Sequence, residues 1–232
     1  MNYVTDDTMN AYLRSVQPMY DGVLGEIQKE AIAAEVPIVP PEVARLLSVL
    51  LTMQKPKNIL EIGTAVAFSA GLMCRYLPEE GTVTTIDRYE VMLKDARVNI
   101  KRMGLEDKIK ILEGDAADIL QTLEGPYDVI FMDAAKGQYQ AFLPHCLRLL
   151  PVGGLLIEDD VLQGGTIAQT RFSVPRRQRT IHKRLRNFLW EITHHDALET
   201  SIIPIGDGVA LCYKKKEIIP ETKTEGETKN AE

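Results

Sequence analysis

The sequence has little cysteine. Cys74, Cys146 and Cys212 are the only three in the chain, an odd number without CxxC spacing. That excludes a disulfide framework and a thiolate metal site. It fits reduced core thiols in a reducing compartment, so a cytoplasmic address is expected. No apolar run approaches the roughly 18 residues that a membrane-spanning helix needs, and no membrane association is expected. The N-terminal stretch holds Asp6, Asp7 and Arg14 and no apolar h-region, so no secretory leader is expected. There are no internal repeats. The glycine fingerprint G-x-G-x-x-G is missing too: Gly63 is followed by Ala65 and Ala67, which argues against a dinucleotide pyrophosphate.

What is present suits one α/β domain with a sizeable core, spanning positions 1–216, with helices over 1–55. Apolar residues make up 45% of the chain and charged residues 26%, ordinary values for a globular protein. The tail 217–232 is polar, charged and aperiodic, and disorder is expected there. Net charge is −6 but unevenly placed. The segment 171–186 (RFSVPRRQRTIHKRLR) carries seven Lys/Arg and no acid, which leaves 20 Lys/Arg against 33 Asp/Glu, or −13, on the rest of the chain. A basic segment in an acidic chain acts locally.

Helical spacing recurs through positions 8–54, with breaks near Pro18 and at Pro37, Pro40 and Pro41. Helices in that position cover a site or a subunit interface. From Lys57 onward strand and helix patterns alternate. Strands are expected at 58–62, 82–87, 109–112, 128–132 and 154–158, and helices near 67–77, 90–103, 116–122 and 139–149. Such alternation predicts a parallel sheet with right-handed crossovers and helices on both faces. A basic helix, 175–195, precedes two strands, 200–204 and 209–214. Pro204-Ile-Gly-Asp-Gly208 between them is short enough for a hairpin, so the sheet ends in an antiparallel pair.

The chemistry gathers at strand ends. The segment 128–132 is a near-continuous apolar run of the kind buried on both faces of a parallel sheet, and it ends in Asp133 with Lys136 on the following turn. Gly154–Ile157 breaks in the same way into Glu158-Asp159-Asp160. Ligands of parallel sheets bind beyond the carboxyl ends of the strands. If these two strands are neighbours, Asp133, Asp159 and Asp160 meet at one point, a set suited to a hard divalent cation such as Mg²⁺. The plainer reading of any one of these acids is a cap or turn residue. On the cofactor side, Glu61-Ile-Gly63 closes the first strand, Asp87 closes the second, and Gly114-Asp115-Ala116 follows the third. An acid at Asp87 suits a ribose diol. Here too the plain alternative is that Glu61 is a helix-capping acid and Asp87 a turn residue.

Taken together, EIGTAVAFSA, TTID, GDA, FMDAAKGQY and IEDDVL resemble the cation-dependent O-methyltransferases related to the catechol and caffeoyl-CoA enzymes, over about positions 35–214. DAAKGQY, VPRRQR and IIPIGDG are most similar to bacterial tRNA 5-hydroxyuridine methyltransferases. The resemblance implies a Rossmann-like class I methyltransferase, with a seven-stranded, mostly parallel sheet, an antiparallel last strand and extra N-terminal helices. It also implies S-adenosylmethionine and Mg²⁺. Glu61, Gly63, Ser69, Asp87, Asp115, Ala116 and Asp133 would line the cofactor, with Ser69 at the methionine carboxylate, Asp87 at the ribose and Ala116 at the adenine. Asp133, Asp159 and Asp160 would hold the metal, and Lys136 would be the catalytic base, acting beside Asp133. Three positions depart from the pattern: Ala67 replaces a usual glycine, Phe68 a common Tyr, and Asp160 stands where many members carry Asn.

The expected reaction is O-methylation of 5-hydroxyuridine at the wobble position of the tRNA anticodon loop, giving 5-methoxyuridine. Arg171, Arg176, Arg177, Arg179, Lys183, Arg184 and Arg186 are the expected RNA contacts, and a homodimer is the expected assembly. Phe172 and Tyr139 are candidates to stack a base, Trp190 is read as core, and His182 as part of the basic face. His194 and His195 do not read as ligands. Two alternatives stay open: a small catechol-like phenol as substrate, and a non-catalytic RNA-binding module on a methyltransferase fold. The basic segment as a plain solvated face or acidic subunit contact, and Lys136 as a simple ion-pair partner of Asp133, also stay open. Calorimetric melting tests the cofactor expectation: S-adenosylmethionine should raise the melting temperature by binding only the folded state, and NAD should not.

Overall fold

The computed structural model describes residues 7–218; most of the expected disordered tail lies outside the described residues. Three helices come first, α1 (Asp7–Ser15), α2 (Gly22–Ala33) and α3 (Pro41–Gln54), separated where the prolines predict breaks. Pro41 opens α3 at a first-turn position, where its missing N–H costs nothing. Then β1 (Asn58–Ile62), α4 (Phe68–Cys74), β2 (Thr82–Asp87), α5 (Glu90–Met103), β3 (Ile109–Glu113), α6 (Ala116–Thr122), β4 (Val129–Met132), α7 (Tyr139–Leu149) and β5 (Leu155–Glu158) alternate as the periodicity predicts. α8 (Arg179–His194), β6 (Leu198–Ile203) and β7 (Val209–Lys214) follow. The basic helix starts at Arg179 and not near 175, because Pro175 disfavours helical backbone before it and Arg176–Gln178 form only a 3₁₀ turn.

The seven strands form one Rossmann-like sheet in the order β3-β2-β1-β4-β5-β7-β6. The first five are mutually parallel; β7 lies antiparallel between β5 and β6. Side chains alternate between the two faces. Ile59, Phe131 and Ile157 join the core under α2–α5, while Leu60, Ile130 and Leu156 join the core under α6–α8. All three cysteines are free and buried, and burial pushes the Cys74 thiol up to about 12. Among the described residues no helix is long and apolar enough to cross a membrane.

The crossovers reverse direction between β1 and β4, which puts the crevice of the sheet at their carboxyl ends. There Gly63 N–H donates to Ile86 O, Asp133 N–H to Ile62 O and Asp159 N–H to Met132 O, so the ladder runs one step past each strand. Gly63 is in the left-handed region, with φ +112°, and a Cβ there would lie 2.5 Å from Asp133 O and 2.9 Å from Ala134 Cβ. Close approach of two backbones, more than approach of a ligand, explains this glycine. Gly63→Ala is expected to destabilise the fold by about 2–4 kcal/mol in urea unfolding, because backbone cannot give way as a flexible side chain can.

Candidate active site

The strand ends wall a cavity of about 700 Å³. Gly63, Ser69, Asp87, Asp133, Lys136, Asp159 and Asp160 all line it, so seven of the positions singled out in the sequence come together. A smaller hollow of about 140 Å³ holds Asp115 and Ala116 and shares Asp87, Tyr89, Ala134 and Ala135 with the larger one. The segment 37–40, apolar or proline throughout, closes the cavity from the N-terminal side. This wall, Tyr89 and the acid Asp207 were not legible as site residues. Pro204–Gly208 reads locally as a turn, and nothing near Asp207 in sequence shows that the turn reaches Lys136.

The acidic end of the cavity is built by adjacency. Met132 and Glu158 are paired neighbours in β4 and β5, so Asp133 and Asp159 follow side by side. Buried Tyr139 holds the two tips from beneath, its hydroxyl donating to Met132 O (3.2 Å) and Asp159 O (3.1 Å). That anchoring role removes Tyr139 from the candidates for base stacking. Burial, and then the charges of Asp159 and Asp160, push the Asp133 carboxyl well above its ordinary range. Burial and Asp160 likewise raise Asp159 to about 7 against the lowering effect of the Asp160 N–H, which donates to Asp159 Oδ1 at 2.7 Å. Lys136 is the cation that lines the cavity among these acids. Its Nζ lies 2.5 Å from Asp160 Oδ2 and 3.8 Å from Asp207 Oδ2, so its ion-pair partner is Asp160 and not Asp133. Asp207 Oδ1 also accepts the Gly164 N–H, and burial raises its carboxyl.

The donor chemistry fits a hard cation: carboxylates crowded at one end of a cavity, with their charge only partly balanced by one ammonium. The expected three-acid cage is nevertheless not closed. Among the described residues no group of three His, Cys, Asp or Glu side chains is disposed to hold a metal ion. The physical reason is visible at Asp160, whose backbone is left-handed at φ +60° and whose carboxylate is held on Lys136.

The cofactor positions divide. Ser69 and the Gly63–Ala65 turn face the cavity. Ala67 adopts φ +61° at the start of α4, a left-handed conformation that costs a residue with a Cβ roughly 1 kcal/mol and accounts for the glycine expected there. Asp87 accepts four backbone N–H groups, from Thr64 (3.0 Å), Ala65 (3.1 Å), Arg88 (2.7 Å) and Tyr89 (3.0 Å). It therefore shapes the loops between which a ribose would sit. Asp115 caps α6 through the Ala117 N–H (2.9 Å) and pairs with Arg88 at 2.6 Å, the plain capping role. Glu61 is not on the cavity wall. It is buried behind Ser69, Oε2 accepting from Thr85 Oγ1 (2.5 Å), which in turn contacts Thr64 Oγ1 (2.7 Å). Its Oε1 has no hydrogen bond of normal geometry, although Ser69 lies near enough to lower the carboxyl's pKa.

In the basic segment Arg171, Arg176, Arg177, Lys183, Arg184 and Arg186 are exposed, and among the described residues none of the seven cations has a carboxylate partner. Three side chains here depart from expectation. His182 is buried, its Nε2 3.2 Å from Gln169 O, so it belongs to the core edge and not to the basic face. Trp190 is 65% exposed and stacked on His194, so it is not core, because its helix position points away from Phe188 and Ile192. Arg179 is half-buried and spends its guanidinium on Val174 O and Phe172 O.

Burial holds Glu61 at about 7, raised from its ordinary 4.5. The folded state thus keeps a proton that the unfolded chain releases. This contribution to stability is full below pH 4.5 and is lost as pH rises through about 7, amounting to about 3 kcal/mol from a shift of that size. Urea unfolding of Glu61→Gln between about pH 4 and pH 8 should show that part of the slope removed.

The O-methyltransferase family profile matches residues 16–215. A catechol O-methyltransferase of Niastella koreensis is 30% identical over 93% of this chain and 100% of its own length. A caffeoyl-CoA O-methyltransferase of Populus kitakamiensis is 32% identical over 76% and 77%. An O-methyltransferase of Bacillus cereus, solved in complex with SAH, superposes with a TM-score of 0.78 at 27% identity over 90% of this chain and 97% of that one. A family match across the whole sheet, with the acids and Lys136 at one end of its crevice, makes this chain a member of the O-methyltransferase family.

Proposed function

We propose that the protein transfers a methyl group from S-adenosylmethionine, with Mg²⁺, to the 5-hydroxyl of 5-hydroxyuridine in a tRNA anticodon loop. The observation that carries the substrate is the run of exposed cations without acidic partners in a chain otherwise strongly negative. Such cations meet phosphates, and RNA readers take unstacked loop bases into pockets. When bound, S-adenosylmethionine supplies an electrophilic methyl group and a divalent cation lowers the acceptor's pKa and orients it. The chain's own part is assigned to named groups. Ser69 and the Gly63–Ala65 turn hold the methionine end, and Asp87 keeps its loops in place for the ribose. Asp133, Asp159 and Asp160 would hold the cation once the Asp160 carboxylate is released from Lys136. Lys136, acting as the neutral amine after its ammonium has given up a proton, would take the proton from the acceptor hydroxyl. The wall at 37–40 excludes water. The exposed apolar side chains Met9, Tyr12, Val16 and Met19 in and just after α1 support a homodimer.

A small catechol-like phenol is the second reading. The apolar wall formed by 37–40 with Phe68, Val91 and Met92 favours it, as do the names of the relatives.

Mass spectrometry of tRNA nucleosides after incubation with enzyme and S-adenosylmethionine should show 5-methoxyuridine formed with Mg²⁺ and none in EDTA. Lys136→Ala should cut turnover by about 10²–10⁴-fold with unchanged cofactor binding, the usual worth of a general base. Turnover of a catechol with no product on tRNA would transfer the assignment to the small phenol, and full activity in EDTA would remove the metal.

A further inference from the structure

The seven cations do not make one patch. Arg179 is committed to two carbonyls of its own segment, Val174 O at 3.0 Å and Phe172 O at 3.3 Å. Arg184 donates to Gly137 O at 3.1 Å, next in the chain to Lys136. Arg171, Lys183 and Arg186 instead line a separate hollow of about 490 Å³ between the segment 168–171 and α8, which shares no lining residue with the catalytic cavity. No acid lines it, and Thr170 and Asn187 add neutral hydrogen-bonding groups. Its walls are tied together: buried His182 joins the helix to Gln169 O, and Arg186 Nη1 donates to Ile167 O at 3.1 Å.

We propose that this hollow is a phosphate-binding site that anchors the RNA backbone while the target base occupies the catalytic cavity. The inference rests on the RNA reading above. Three cations sharing one hollow repel one another, and an anion entering it offsets that repulsion while accepting from the lysine ammonium, the Arg171 guanidinium and the Arg186 N–H groups not given to Ile167 O. A phosphodiester fits better than a free phosphate because of what borders the hollow. Phe172, next to Arg171, is 88% exposed, the disposition of an aromatic that stacks an unpaired base beside its phosphate. Two anchoring points on different elements also suit a long ligand that must be held at a distance from its reacting atom.

The test compares Arg171→Gln/Lys183→Gln/Arg186→Gln with a charge-matched control on a remote face, Lys94→Gln/Lys101→Gln/Lys110→Gln. The probe is an anticodon stem-loop RNA with plain uridine, titrated at several salt concentrations. Loss of three charged hydrogen-bond donors should weaken the pocket variant by about tenfold or more. The salt slope should fall by about 0.7 for each phosphate released. The control should stay near wild type. Unchanged melting temperature and S-adenosylmethionine affinity verify that the variant is folded, and Lys183→Gln alone, at an exposed position, should show a smaller loss in the same direction. Equal weakening of both triple variants would overturn the pocket while leaving the RNA reading in place. Pyrophosphate or coenzyme A binding that the pocket variant loses, with no wild-type affinity for the stem-loop, would overturn the RNA commitment and the RNA substrate together.

Discussion

The acidic end of the cavity depends on holding Asp133 and Asp159 side by side at the tips of adjacent parallel strands, with the Lys136 ammonium close by. Like charges so placed oppose folding; burial and this mutual repulsion push both carboxyls up, and the Lys136 ammonium, paired with Asp160, partly offsets the local charge. The surroundings then make sense as supports. Tyr139 fixes both tips through their carbonyls. Gly63 lets β1 close on β4 without a side chain between. Left-handed backbone at Ala65, Ala67, Ala135 and Asp160 rings the same crevice. Strained conformations of this kind persist where the surrounding structure over-determines them.

Asp207 extends this arrangement to the other half of the chain. Its carboxylate faces Lys136 and accepts from Gly164, while its carbonyl accepts from Leu162. The turn between β6 and β7 is thereby stitched to the segment 161–164, which leads on toward the basic face. Gly208, at φ +89°, is needed for this contact, since a Cβ there would run into the Leu162 side chain. The antiparallel β7, inserted beside β5, is what brings this turn to the acidic end of the cavity. A purely parallel last strand would carry its preceding loop to the opposite end of the sheet.

Burial also separates residues that look alike in the sequence. Glu61, Asp87 and Asp115 are all acids at the ends of βα units. One is buried behind the wall with its carboxyl raised by burial, one gathers four backbone N–H groups, and one caps a helix. Only Asp87 of the three lines the larger cavity. A carboxylate in a crevice is therefore as often a builder of the loop as a contact for its ligand.

The sequence by itself determined the fold nearly strand by strand. Apolar runs such as Val129–Met132 fit only a sheet covered on both faces, and Pro18, Pro37 and Pro40 fall between the N-terminal helices while Pro41 opens α3. It also determined that acids and Lys136 gather at the strand ends, because period and polarity change together at Asp133 and Asp159. Only the tertiary structure decided which acid Lys136 pairs with, that Asp207 joins them, and that Asp133, Asp159 and Asp160 do not form a closed three-acid cage. Those outcomes depend on distances between groups as remote in sequence as Lys136 and Asp207, set by strand order and by a hairpin that reads locally as a turn. The same holds for the basic helix. Its charge is plain in the sequence, but His182 is buried and Trp190 exposed because the face of α8 that carries His182, Leu185, Phe188 and Ile192 meets the core and Trp190 lies off that face.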